Sequence, residues 1–226
     1  MRQIALDTET TGLEVKDGHR ILEIGCIEII GRSVGEQTFY SKMNPEREVD
    51  EGARRVHGYT WEMLKGSPLF GSVCDKFLEF VKSSEVLMHN APFDLGFLDA
   101  ELARLNRGTF IEETGCTIVE TLEFAKTVHI GSSYSLNALS DYYQIDRSHR
   151  KLHGALIDAD LLAQVYLAMT SGQTSISFAG EAKVDRREVA IKNNEEILSD
   201  EGLIVIEATE DELRRHEQFC EIFAKP

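Results

Sequence analysis

The chain has 226 residues, 42% of them hydrophobic, and a formal net charge of −15. That length allows one well-buried domain plus a smaller appendage, and no aliphatic run approaches the roughly 20 residues needed to cross a bilayer. Four scattered cysteines (Cys26, Cys74, Cys116, Cys220) form no Cys-x-x-Cys pair, which argues against a thiolate zinc site or a disulfide framework. The acidic balance leaves two options. Either nucleic acid is not the ligand, or cations and partner proteins offset the repulsion.

The opening "MRQIALDTE" lacks the apolar core of a secretory signal, so the cytoplasm is the expected compartment. In chain order, strands are expected at 3–9, 20–30 ("RILEIGCIEII") and 34–42, separated by turn signals at "KDG" and "GRSVG". Helices are expected near 50–56 and 69–82, then a strand-like run at 85–90 ("EVLMHN"). It leads into a helix in which Pro92 suits the first turn and Leu95, Leu98, Leu102 and Leu105 recur at helical spacing. A strand near 115–119, helices near 120–128 and 135–143, and an apolar helix at 154–169 complete this part. Three consecutive strands, then strands alternating with helices, predict an α/β fold: a mixed five-stranded sheet flanked by helices.

At Thr170 the texture changes to small and polar, and reads as linker. Residues 1–170 are expected to form one domain, 171–182 a linker and 183–226 a charge-rich C-terminal segment. The last contains "LIVI" and a capping-box pattern from Thr209 to Glu212.

The stretch "LDTETTGL" (6–13) carries the first chemical signal. Residues i and i+2 of a strand share a face, so Ala5, Asp7 and Glu9 point one way and Ile4, Leu6 and Thr8 the other. Two more acids stand out: Asp94 in "HNAPFD", in the first turn of a helix just after a strand, and Asp158 in "LHGALIDAD", five residues after His153. Each alone fits an acid near a helix N-terminus or an exposed strand end. Together they suggest one centre, because ligands of open α/β sheets bind at the carboxyl ends of strands. Carboxylates gathered there could not all stay ionised without cations. Two Mg²⁺ or Mn²⁺ ions, held by oxygen ligands about 3.5–4 Å apart, would clamp the attacking and leaving oxygens of a phosphoryl displacement. His153 offers an imidazole base to activate a water.

"LDTETTG", "HNAPFD" and "LHGALIDA" resemble the three motifs of the Asp-Glu-Asp-Asp superfamily of 3′→5′ exonucleases, histidine subtype. The resemblance implies a ribonuclease H-like fold over roughly residues 3–170. It implies that Asp7, Glu9 and Asp158 bind the first metal, that Asp7 bridges to the second with Asp94 in support, and that His153 is the general base. It further implies that Thr10 meets the terminal 3′-OH and that Leu13 and His57 line the terminal nucleotide pocket, with Asn90 and Phe93 nearby. Glu9 and Asp158 would then touch substrate as well as metal.

The tail extends the likeness to the epsilon-type proofreading subunits of bacterial DNA polymerase III. "QTSISF" resembles a sliding-clamp-binding hexapeptide with Gln173, Ile176 and Phe178 as anchors, and "LIVIEATEDELRRHEQFCEIF" resembles the segment that holds the polymerase alpha subunit. These features imply a DNA 3′ end, the polymerase and the clamp as partners, with room for a small theta-like subunit and no membrane. A histidine-subtype exoribonuclease, or a scaffold subunit without chemistry, are the alternatives. Tethering by clamp and polymerase would raise effective concentration on DNA without a basic surface.

Overall fold

The computed structural model describes residues 2–128, 131, 133–148 and 152–171. Five strands form one sheet: β1 (Arg2–Thr10), β2 (Ile21–Ile30), β3 (Ser33–Lys42), β4 (Glu85–Met88) and β5 (Thr117–Glu120), in the order β3-β2-β1-β4-β5. β1 pairs antiparallel with β2, and β2 with β3, while β1–β4 and β4–β5 are parallel. The sheet is therefore mixed, as the element order predicts. β2 and β3 meet in a two-residue turn whose residues, Gly31 and Arg32, both take positive φ (56° and 68°), the geometry that matches strand twist in a tight hairpin.

Eight helices are described: α1 (Glu51–His57), α2 (Trp61–Leu64), α3 (Phe70–Val81), α4 (Ala91–Arg104), α5 (Phe110–Thr114), α6 (Thr121–Val128), α7 (Leu136–Tyr142) and α8 (Ala155–Thr170). The period-2 pattern of β1 divides the core. Ile4 and Leu6 join Phe77 of α3, Leu98 and Leu102 of α4 and Phe110 of α5 on one face of the sheet. Ala5, with Ile27, Ile29 and Leu87, packs against Ala159, Leu162 and Ala163 of α8 on the other. α8 is apolar around most of its circumference because it is covered twice: α6 and α7 close over it through Ala125, Leu139, Val165 and Met169. No helix among the described residues is long and apolar enough to cross a membrane.

The structure departs from the sequence reading in detail. The expected strand at 85–90 stops at Met88, because Asn90 turns into the left-handed region (φ 69°) to start α4, a conformation asparagine tolerates better than most residues. Leu105 leaves the inner stripe of α4 and is 39% exposed, while Phe97 takes the inward place. Three short elements escape helical periodicity: a 3₁₀ turn at Val15–Asp17, α2 and α5. α5 nonetheless carries a readable signal. Thr109 accepts from the Glu112 N–H, Glu112 returns the bond to the Thr109 N–H, and Gly115 closes the helix at φ 62°. The expected clamp and polymerase segments (Gln173, Ile176, Phe178 and residues 183–226) lie outside the described residues.

Candidate active site

Glu9 and Asp158 meet where the C-terminal end of β1 passes the start of α8. β1 delivers Asp7 and Glu9 at its C-terminal end, in register with Gly25 and Glu23 of β2. Glu9 is buried and Asp7 half-buried. α8 crosses this face with Asp158 in its first turn, 2% exposed. His153 stands just before α8; its N–H donates to the Val56 carbonyl of α1 at 3.1 Å, and its side chain is 40% exposed.

Glu9, His153 and Asp158 each offer a ligand atom within 4.8 Å of the other two. Among the described residues this set does not take in Asp7 or Asp94. Its donors are two carboxylates and an imidazole, and the oxygen-rich character fits a hard divalent cation of the Mg²⁺ or Mn²⁺ kind. His153 Nδ1 lies 3.0 Å from Asp158 Oδ2. An Nδ1–H donated to that carboxylate leaves the lone pair on Nε2, so the ring faces its surroundings as a proton acceptor.

Asp94 enters from the opposite helix layer. It is 3% exposed, in the first turn of α4, and its Oδ1 accepts from Thr8 Oγ1 at 2.6 Å. Thr8 is the residue between Asp7 and Glu9, so this bond ties α4 to the carboxylate end of β1. Burial pushes the Asp94 carboxyl up to about 7, against the opposing effect of the Thr8 hydroxyl and nearby backbone N–H groups. A cation beside it would favour the ionised form.

The remaining expected residues do not belong to the group of Glu9, His153 and Asp158. Thr10 is buried with its hydroxyl donating to the Gly12 carbonyl at 2.7 Å. Leu13 projects at 79% exposure, whereas Phe93 is half-buried against Phe97, ring centroids 5.0 Å apart. His57 is buried with both ring nitrogens engaged: Nδ1 accepts from the Tyr59 N–H at 3.0 Å, so Nε2 carries the hydrogen and donates to the Thr10 carbonyl at 3.2 Å. Burial holds its pKa below the ordinary value. The ring thus pins the end of α1 to the end of β1.

Two carboxylates that the sequence reading did not single out organise the helix starts. Neither Asn90 nor Gly154, the N-cap residues of α4 and α8, makes a side-chain cap. Instead, Glu120 Oε1 accepts from the Asn90 and Ala91 N–H groups (2.8 and 3.2 Å), and its Oε2 from the Glu123 N–H of α6 (2.6 Å). Glu23 Oε2 accepts from the Ala155 N–H at 2.8 Å. Each compensates the orphan donors and positive end of a helix that carries one of the candidate acids, Asp94 on α4 and Asp158 on α8. An acid inside the apolar run "RILEIG" was the signal available for Glu23.

Comparison with known proteins agrees with this geometry. Residues 4–166 match the exonuclease family RNase_T. Among solved structures, the chain is similar to exonuclease X in complex with 5′-overhanging duplex DNA (TM-score 0.59, 23% identity, covering 76% of this chain and 92% of that one). It is also similar to a 3′-exonuclease described in 3′-end-specific recognition of a histone mRNA stem-loop (TM-score 0.64, 15% identity, covering 76% and 82%). Both show the fold. Sequence relatives are closer: DNA polymerase III subunit epsilon of Rickettsia felis is 40% identical over 227 residues, covering 100% of this chain and 98% of that protein. The same subunit is 41% identical in Salmonella typhimurium and 40% in Escherichia coli K12, each over 228 residues, with 99% of this chain and 94% of the relative covered. An exonuclease match over well over half of the chain, joined to near-full-length identity of about 40%, places it: the chain belongs to the exonuclease family and, within it, to the DNA polymerase III epsilon subunits.

Proposed function

We propose that this protein is a metal-dependent 3′→5′ exodeoxyribonuclease that removes mispaired 3′-terminal nucleotides for a replicative DNA polymerase in the cytoplasm. The observation that carries the reading is the meeting of Glu9, His153 and Asp158 at the carboxyl edge of the sheet, in a chain of epsilon-subunit descent. Asp7, Glu9 and Asp158 would hold a divalent pair with support from Asp94. Bound there, two such ions supply a lowered water pKa and charge stabilisation for attacking and leaving oxygens. His153, held through Nδ1 by Asp158, takes a proton from water at Nε2. Thr10 and Leu13, with His57, Asn90 and Phe93, border the place of the 3′-terminal nucleotide.

Residues 1–170 form the catalytic domain in this reading. Gln173, Ile176 and Phe178 dock the sliding clamp from the linker 171–182, residues 183–226 hold the polymerase alpha subunit, and a theta-like subunit is a further candidate partner. The net charge of −15 supports delivery by tethers over capture by a basic surface. Selectivity for errors follows from fraying, since a mispaired terminus costs less to unpair before entering a single-strand site.

The test is a single-turnover assay on matched and mispaired DNA primers, with RNA of the same sequence as control. Faster removal of mispaired DNA termini than of matched ones is expected, and faster hydrolysis of RNA would overturn the DNA assignment.

A further inference from the structure

Glu9 and Glu23 are cross-strand neighbours, both buried, both on the side of the sheet that α8 covers. Only Glu9 joins the cluster with His153 and Asp158. Glu23, 1% exposed, has its oxygens committed elsewhere: Oε1 accepts from Tyr40 Oη at 2.6 Å and Tyr59 Oη at 2.8 Å, and Oε2 from the Ala155 N–H at 2.8 Å. A buried charge is costly unless such partners satisfy it. A serine or aspartate at position 154 could cap α8 without placing a charge in β2. The carboxylate instead joins β2, β3, the turn after α1 and the start of α8.

We propose that Glu23, clamped by the hydroxyls of Tyr40 and Tyr59, is a positioning residue for His153 and Asp158. This rests on the exonuclease reading of the site. Ala155 lies two residues after His153 and three before Asp158. The run into α8 is held at two points, by Val56 O on the His153 N–H and by Glu23 on the Ala155 N–H, and the helix carries that placement on to Asp158 through the Asp158 N–H bond to the Gly154 carbonyl. The clamp is itself braced: the Tyr59 ring stacks on His57 with centroids 5.3 Å apart, and Lys42 Nζ lies 4.6 Å from the Tyr59 ring centroid. His57 in turn bonds the Thr10 carbonyl, next to Glu9. A closed path of contacts therefore runs from Glu9 through His57, Tyr59 and Glu23 to the first turn of α8. It sets the separation between the strand acid and the helix acid. A shift of about 1 Å there is enough to cost a large part of the rate.

The experiment uses the full chain and compares E23Q, Y40F, Y59F and Y40F/Y59F with the parent. kcat and KM are measured on a mispaired DNA primer with Mn²⁺, and imidazole ¹H–¹⁵N spectra are recorded on the metal-free protein. E23Q should lower kcat about tenfold or more, the scale of one hydrogen bond to a charged group, with KM within about twofold of the parent. Y40F/Y59F should reproduce most of that loss, and combining it with E23Q should add little, since all three act through one carboxylate. The His153 ring resonances should shift in every variant that lowers kcat. A folded Y40F/Y59F protein with parental kcat, losses confined to KM, additive losses, or unmoved His153 resonances would each overturn the proposal. If E23Q fails to fold, the tyrosine variants decide. If the parent itself does not cleave, the exonuclease reading fails, and the metal-free spectra still judge the clamp.

Discussion

Gly25 of β2 lies directly beneath Ala155 of α8: a β-carbon on Gly25 would stand 2.3 Å from the Ala155 carbonyl carbon and from the Leu156 nitrogen. Both neighbours are backbone, so no side-chain rotation relieves the overlap. Gly25→Ala must lift the start of α8 away from the sheet, and with it His153 and Asp158. Overpacking of this kind costs about 1–3 kcal/mol, sometimes more. The expected outcome is a lower urea midpoint together with a loss of cleavage larger than the stability loss explains. Parental kcat in a folded Gly25→Ala protein would show that the close approach is dispensable.

Asp158→Ala should abolish cleavage while leaving the circular dichroism spectrum intact. His153→Gln should lower kcat by about 10²–10⁴, the usual contribution of a general base. Rapid-quench assays on a mispaired primer check both, and parental rates would remove either residue from the mechanism.

Chelation should stop the reaction and Mn²⁺ or Mg²⁺ should restore it. A cation that binds only the folded site also raises the melting temperature by mass action. Calorimetry should therefore show stabilisation by Mn²⁺ in the parent and little in Asp158→Ala. Equal stabilisation of both would place the ions elsewhere.

For Asp94, the folded pKa of about 7 lies above the ordinary carboxylate value because of burial. The folded state then binds the proton more tightly than the unfolded chain, so in metal-free protein this group lowers stability as pH rises from about 4 to about 7. Asp94→Asn keeps an acceptor for Thr8 and avoids the buried charge. Thermal melts at pH 8 in chelator should show the variant at least as stable as the parent, although inactive. A strongly destabilised variant would mean that the folded state holds the ionised form without a metal.

The histidines act in the opposite sense. Burial lowers the pKa of His57 and of His89, so below about pH 6.5 the unfolded chain takes up protons that the folded protein refuses. Their contribution to stability is complete above that value and declines as pH falls further. Urea titrations between pH 7.5 and 5.5, made in the Asp94→Asn background to remove the opposing carboxyl, should show stability falling with acidification. His89→Gln should flatten the slope, and an unchanged slope would exclude His89 as a contributor.

Much of the fold was legible because it is written in local periodicity. The alternation in β1 assigned Ile4 and Leu6 to one face and Ala5 to the other, as the two core clusters show. Helical spacing marked α4, and a long apolar run marked α8. Elements of three to five residues, such as α2 and Val15–Asp17, were hidden because they are too short to display a period. The motif residues Glu9, His153 and Asp158 were named from the sequence, since the chemistry of a metal-assisted hydrolase restricts the side chains that can serve it.

The sequence by itself determined which residue types the site would need and which strands and helices would carry them. Tertiary structure alone decided their spacing and their support: Glu9 comes within reach of Asp158 where the backbone of α8 passes close over Gly25 of β2, and Glu23 reaches the Ala155 N–H at the start of α8 from another strand. Local propensity acts over a few neighbours along the chain. Contacts separated by more than a hundred residues depend on which surfaces come to rest against each other, and only the packed molecule fixes that.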